Sequence, residues 1–226
     1  MTGNRWTWKE FTALVGLALI FVPLMIDWQL TVWLDSIMQN ELYKGTLTGL
    51  ILAILFTSCI YFIALRPQGY SWQTIGVRRI KTTDWKTIVF WTIAHIFIGI
   101  FYIIILEMVG FESANSKTES IQENQTLFAF TIAFISAAVL SPIYEELFYR
   151  GFIYTWLRER LGIWSSMVIS SLIFTVVHIP TYNTLLLNFL VGIICAWVYE
   201  KTESVVSSII VHAVFNAIAV ILTVLL

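Results

Sequence analysis

Seven stretches of the chain run almost without polar positions: 11–26, 46–65, 87–106, 126–139, 164–177, 185–198 and 205–226. Crossing a bilayer takes about 20 residues of apolar helix, and several of these runs reach that length. Polar residues gather in the connections between them. The pattern predicts an all-α fold, a polytopic transmembrane helical bundle of about seven spans, or eight if one run is split. It forms a single membrane domain over residues 1–226.

Composition agrees. The 226 residues are 58% hydrophobic and 12% charged, whereas a soluble domain carries about 25% charged residues. So few ionic groups could not cover a soluble globule. A formal net charge of −1 offers no field for nucleic acid, so membrane lipids are the expected surroundings and no nucleic acid is expected as a partner. Cys59 and Cys195 each lie inside an apolar run and read as small core residues, not as a disulfide framework. Arg5 and Lys9 precede the first run, but no small-residue cleavage site follows before Asp27 and Trp28. That run is therefore expected to stay as a helix.

Charge also orients the chain. Of the thirteen lysines and arginines, only Lys44 and Lys117 fall in the alternate set of connections. The positive-inside rule then predicts a multi-pass protein of the cell membrane with a cytoplasmic N-terminus. Trp6, Trp8, Trp28, Trp85 and Trp164 sit where runs meet loops, as interfacial anchors do. Segment 68–85 reads as a cytoplasmic loop with a short surface helix, and 112–125 as the longest outer loop.

A few ionisable residues fall where charge is expensive: Glu145, Glu146, Arg150, His178 and His212. At membrane depth each needs a partner or a wet cavity and points to function. Helical rise places Glu145 about 20 Å from Arg158, His178 about 22 Å from Ile163 and His212 about 17 Å from Lys201. Three helices thus bring them to a shared layer, which shifts the fourth span toward 133–156, with Pro142 as a candidate kink. Glu146 and Arg150 are spaced i,i+4 and can pair within the helix, while Glu145 points about 100° away and is left for other work. His212 and Asn216 share a face by the same spacing, as do Phe174 and His178. One carboxylate, two imidazoles and an amide suit water activation and oxyanion stabilisation.

At these residues the sequence resembles the CPBP intramembrane protease family, which takes in CAAX prenyl endopeptidases and bacteriocin-processing (Abi) proteins. Three motifs carry the resemblance: Glu145-Glu146-Leu147-Phe148-Tyr149-Arg150, Phe174-Thr175-Val176-Val177-His178 and His212-Ala213-Val214-Phe215-Asn216. They occupy successive apolar segments, so 121–226 would be the catalytic core and 1–120 the N-terminal spans with their cytoplasmic loop. The resemblance implies peptide-bond hydrolysis within the membrane, on a peptide or lipidated protein substrate. Glu145 and His178 would activate water, and His212 and Asn216 would hold the oxyanion. Glu146, Arg150 and Phe174 would support them. A divalent metal, zinc, on Glu145, His178 and His212 is one mechanism; metal-free general-base chemistry by Glu145 is the other.

Other protease plans fit poorly. There is no H-E-x-x-H zincin motif, no G-x-S-x-G elbow, and no pair of aspartates deep in separate spans. A non-catalytic immunity or scaffold protein that uses the polar layer for packing is the competing reading; a small transporter would be expected to show inverted repeats. His95 reads as an interhelical hydrogen-bonding residue, and Tyr149, Trp156 and Asn188 as candidate cavity lining.

Overall fold

The computed structural model describes residues 5–112, 114–124 and 126–225. Among these residues every regular element is helical. In chain order the helices are α1 (Trp8–Ile37), α2 (Glu41–Gln68), α3 (Thr82–Met108), α4 (Ser116–Glu123), α5 (Leu127–Leu161), α6 (Ile163–Val176), α7 (Tyr182–Thr202) and α8 (Val205–Leu225). All but α4 and α6 are long and apolar enough to cross a membrane.

The short helix α6 positions part of the site. Its 14 residues rise about 21 Å, less than a ~30 Å hydrocarbon core. Pro180 accounts for the stop, because the residue before a proline is steered away from helical backbone angles. The chain nonetheless runs from one end of the bundle to the other. Before α6, Arg160 donates to the Trp6 carbonyl at one end of the bundle. After it, the Asn183 amide donates to the Ala114 carbonyl at 2.8 Å, and the Asn183 carbonyl accepts from the Tyr102 hydroxyl at 2.8 Å, at the other end. The seven expected spans thus correspond to six helices long and apolar enough to cross and one shorter apolar helix, followed by an irregular segment. Non-helical backbone at such depth survives only where protein or a wet cavity surrounds it.

Helix α5 is the central element. Its 35 residues join the apolar run 126–139 to the charged stretch in one continuous helix. Two π-helical stretches, Ile135–Leu140 and Leu147–Tyr154, flank Ser141–Glu146. Proline has no amide hydrogen and crowds the carbonyl four residues back; a widened turn just before Pro142 lets the helix continue. Every residue from 144 to 157 is buried, so this half of α5 is wrapped by protein on all sides.

Close approaches build the wrapping. A Cβ on Gly151 would stand 3.0 Å from the Ile75 carbonyl oxygen, so the short helix Trp72–Ile75 of the 68–85 segment packs against α5 through Ile75 while Ser71 and Gln73 stay exposed. On Gly192 it would stand 2.6 Å from Ser171 Cβ, which brings α6 and α7 together through small residues, as membrane helices pack. Trp6 departs from its expected interfacial role: it is 1% exposed and its indole donates to the Ala64 carbonyl at 2.7 Å. Trp8, Trp85 and Trp164 are exposed at or near helix starts, as anchors would be, whereas Trp28 is exposed within α1, which continues to Ile37 past the expected boundary. The 112–125 connection carries α4; its Ser113 and Gln125 lie outside the described residues.

Candidate active site

Helices α5, α6 and α8 deliver the ionisable residues to one place. Glu145 and Glu146 end the regular turn of α5, and Arg150 follows in the π-helical stretch. The i,i+4 spacing gives the expected pair: Arg150 Nη1 donates to Glu146 Oε1 at 2.9 Å, with both side chains at 1% exposure or less. The same oxygen meets His212 Nδ1 at 2.8 Å across the interface with α8. A carboxylate oxygen only accepts, so Nδ1 carries the hydrogen. His212 therefore turns Nε2 toward Glu145, whose Oε2 lies 3.9 Å away. Glu145 also accepts a hydrogen bond on Oε1 from Ser141, one turn earlier.

His178 lies just past the end of α6. Its Nδ1 bonds the Phe174 carbonyl at 2.6 Å, which fixes the hydrogen on that nitrogen and leaves Nε2 as the acceptor. Phe174 is the hinge of the cluster. Its ring lies 4.6 Å from the Arg150 guanidinium, 4.6 Å from the His178 ring and 6.1 Å from the His212 ring. One buried aromatic face thus steadies a cation and both imidazoles. Asn216, one turn beyond His212, donates to the Ala137 carbonyl at 2.9 Å. That bond ties α8 to the π-helical part of α5 and leaves a second amide hydrogen for other use.

The chemistry of the donors bears on a metal. Among the described residues the tight donor group is Glu146, Cys195 and His212, whose ligand atoms lie within 4.8 Å of one another. Its shared oxygen already serves Arg150 and His212 Nδ1, and a guanidinium beside it repels a cation. Glu145, His178 and His212, the set expected from the sequence, do not form a group this tight among the described residues, although their donor types suit zinc. Both imidazoles keep Nε2 outside any hydrogen bond among the described residues, Glu145 Oε2 faces one of them, and two imidazoles with one carboxylate are zinc donors.

Several neighbours were not legible as site residues. Cys195 on α7, expected as plain core, is fully buried beside Glu146 and His212; nothing in its apolar run marks it. Ser141 was available from i,i+4 spacing to Glu145. Tyr149 stacks edge-on against Phe174 at 5.1 Å and belongs to the cluster. Trp156 does not: it packs on Phe11 at 3.8 Å and donates to the Thr7 carbonyl at 3.0 Å. Asn188 bonds Thr184 of its own segment. His95 is fully buried, yet neither ring nitrogen has a hydrogen-bond partner among the described residues, in contrast to the interhelical bond expected of it.

Comparisons with known proteins converge on the same region. A family model described as "Type II CAAX prenyl endopeptidase Rce1-like" matches residues 127–218, a range that contains all three motifs. The chain is 26% identical over 218 residues to "Putative membrane peptidase YdiL" of Bacillus subtilis (strain 168), covering 94% of this chain and 84% of that protein. It is also 26% identical over 234 residues to "UPF0177 protein in abiGi 5'region" of Lactococcus lactis subsp. cremoris, covering 96% and 93%. No solved structure gives a significant match. Over residues 127–218, the chain is similar to the Rce1-like type II CAAX prenyl endopeptidase family.

Proposed function

We propose that the protein is an intramembrane endopeptidase that hydrolyses a peptide bond of a membrane-associated or lipidated peptide or protein. The observation that carries this reading is the buried Glu145 carboxylate facing His212 Nε2 at 3.9 Å, inside a layer whose other polar groups are already oriented. A carboxylate oxygen and an imidazole nitrogen that face each other at this distance can share one water, the reactant that hydrolysis consumes.

Each step then falls to a named group. Ser141 holds Glu145 Oε1, so Oε2 is the base that takes a proton from water, beside the acceptor Nε2 of His178. The water oxygen bonds to the scissile carbonyl carbon, and the carbonyl electron pair moves onto its oxygen. His212, as the imidazolium, donates from Nε2 to that oxyanion, and the second amide hydrogen of Asn216 donates beside it. Glu146 at Nδ1 supports this charge as a carboxylate does behind a catalytic histidine, and Arg150 holds Glu146 in turn. On collapse the C–N bond breaks, and the proton on Glu145 passes to the leaving amine. Zinc, where bound, would be held by Glu145, His178 and His212 and would supply a water already polarised toward hydroxide.

In this reading the N-terminus is cytoplasmic and the protein sits in the cell membrane. The support is the gathering of Arg5, Arg78, Arg158 and Arg160 at one end of the bundle, while Lys44 and Lys117 lie elsewhere. Purified protein in liposomes, offered membrane peptides and prenylated peptides, tests the activity. Wild type should cleave a substrate that Glu145→Ala and His178→Ala leave intact. Equal cleavage by all three would remove the assignment, and chelation with metal analysis decides the zinc arm.

A further inference from the structure

Beyond the three motifs the polar layer has a fourth contributor, on α3. His95 is fully buried, and its ring lies flat on Phe215 of α8, with centroids 3.8 Å apart and planes within 6°. Phe215 stands between His212 and Asn216 in the sequence. Gly99, one turn beyond His95, makes room for the same ring: a Cβ there would stand 2.6 Å from Phe215 Cε2. The two residues clamp Phe215 and so fix the rotation of α8 that aims His212 and Asn216.

Stacking alone does not explain a histidine. A phenylalanine would fill this place without burying two polar nitrogens, and buried polar groups without partners are costly. Neither ring nitrogen of His95 has a partner among the described residues, and two further buried atoms share that condition: Glu146 Oε2 and Arg150 Nη2. Through Phe215 the His95 ring borders the turn of α8 that carries His212, whose Nδ1 bonds Glu146 at 2.8 Å. A donor-only guanidinium nitrogen, an acceptor-only carboxylate oxygen and a ring with one donor and one acceptor form a set that water can satisfy completely.

We propose that His95 is a positioning residue of the site, joined through buried water to the free atoms of Glu146 and Arg150, and that this link sets the orientation of the Glu146–His212 pair. The activity arm rests on the peptidase reading above; the structural arm does not.

The test uses full-length protein with His95→Phe and His95→Gln. Phenylalanine keeps the stack on Phe215 and removes the polar link; glutamine keeps a donor and an acceptor and gives up the stack. With only three histidines in the chain, the 15N spectrum of histidine-labelled protein resolves each ring. His95→Phe should move the His212 ring signals and leave those of His178, and His95→Gln should leave both near wild type. In the cleavage assay His95→Phe should lower kcat about tenfold with KM unchanged, as loss of an outer-shell partner does, while His95→Gln recovers most of it. Two results overturn the proposal: a His212 signal unmoved by phenylalanine, or equal effects of the two variants, which would make His95 a packing residue. Should wild type cleave nothing, the peptidase reading fails, and the spectra still decide the role of His95.

Discussion

Arg150 and Arg158 stand two turns apart on α5, and each is paired with a glutamate, yet they occupy different solvents. The Arg158–Glu200 pair, reinforced by a 2.6 Å hydrogen bond from Tyr154 to Glu200, keeps 39% and 21% of its side chains exposed. The Arg150–Glu146 pair keeps 1% and 0% and shares its carboxylate with His212. An exposed pair of this kind costs little to form and contributes about 0–1 kcal/mol. A buried one carries a desolvation penalty of several kcal/mol per ion that its own attraction barely offsets. Closing the end of a bundle explains the first. The second makes sense where the buried charges orient a reacting group, and in the proposed reading His212 is that group.

Substitutions can break this contrast in order of size. Glu145→Gln keeps the shape of the deep cluster and removes its base; peptide cleavage should fall about 10³-fold, with the thermal midpoint in detergent little changed. A large fall in midpoint would instead make Glu145 structural. Arg150→Met leaves Glu146 as a buried charge facing only an imidazole, which should cost about 3–5 kcal/mol, seen as a lowered midpoint and early aggregation in a thermal scan.

Gly76 lies outside both clusters and calibrates them. Its φ is +84°, and a Cβ there would stand only 2.5 Å from Tyr199 Cε2. Gly76→Ala should therefore lose about 1–3 kcal/mol, read by the same scan, with kcat preserved in the folded fraction. Smallest of all, Arg158→Ala should cost at most about 1 kcal/mol and leave cleavage intact. If Arg158→Ala matched Arg150→Met, the division of α5 into two solvents would fail.

The sequence made the deep cluster unusually legible because its geometry is mostly local. Glu146 with Arg150, Phe174 with His178 and His212 with Asn216 are all i,i+4 neighbours, and helical spacing alone aligns them. The scarcity of charge marked the same residues as costly. What stayed hidden depends on how helices rotate against each other. No local pattern shows that Cys195 of α7 faces Glu146, that His95 of α3 meets Phe215, or that Trp6 turns inward to the Ala64 carbonyl. The shortness of α6 went unread although Pro180 lies just past its end, and the irregular segment that follows is fixed by bonds between Asn183 and Tyr102 and Ala114, far away in sequence. At Pro142, read as a candidate kink, α5 continues, with a π-helical stretch just before the proline.

The central claim is that Glu145 delivers a water oxygen to a peptide carbonyl inside the bundle. The most direct measurement is mass spectrometry of peptides cleaved by the reconstituted protein in water enriched in oxygen-18. Wild type should place one labelled oxygen in the new C-terminal carboxylate, and Glu145→Gln should give intact, unlabelled peptide. Labelled product of equal yield from both proteins, or no cleavage by wild type of any membrane or prenylated peptide, would contradict the account.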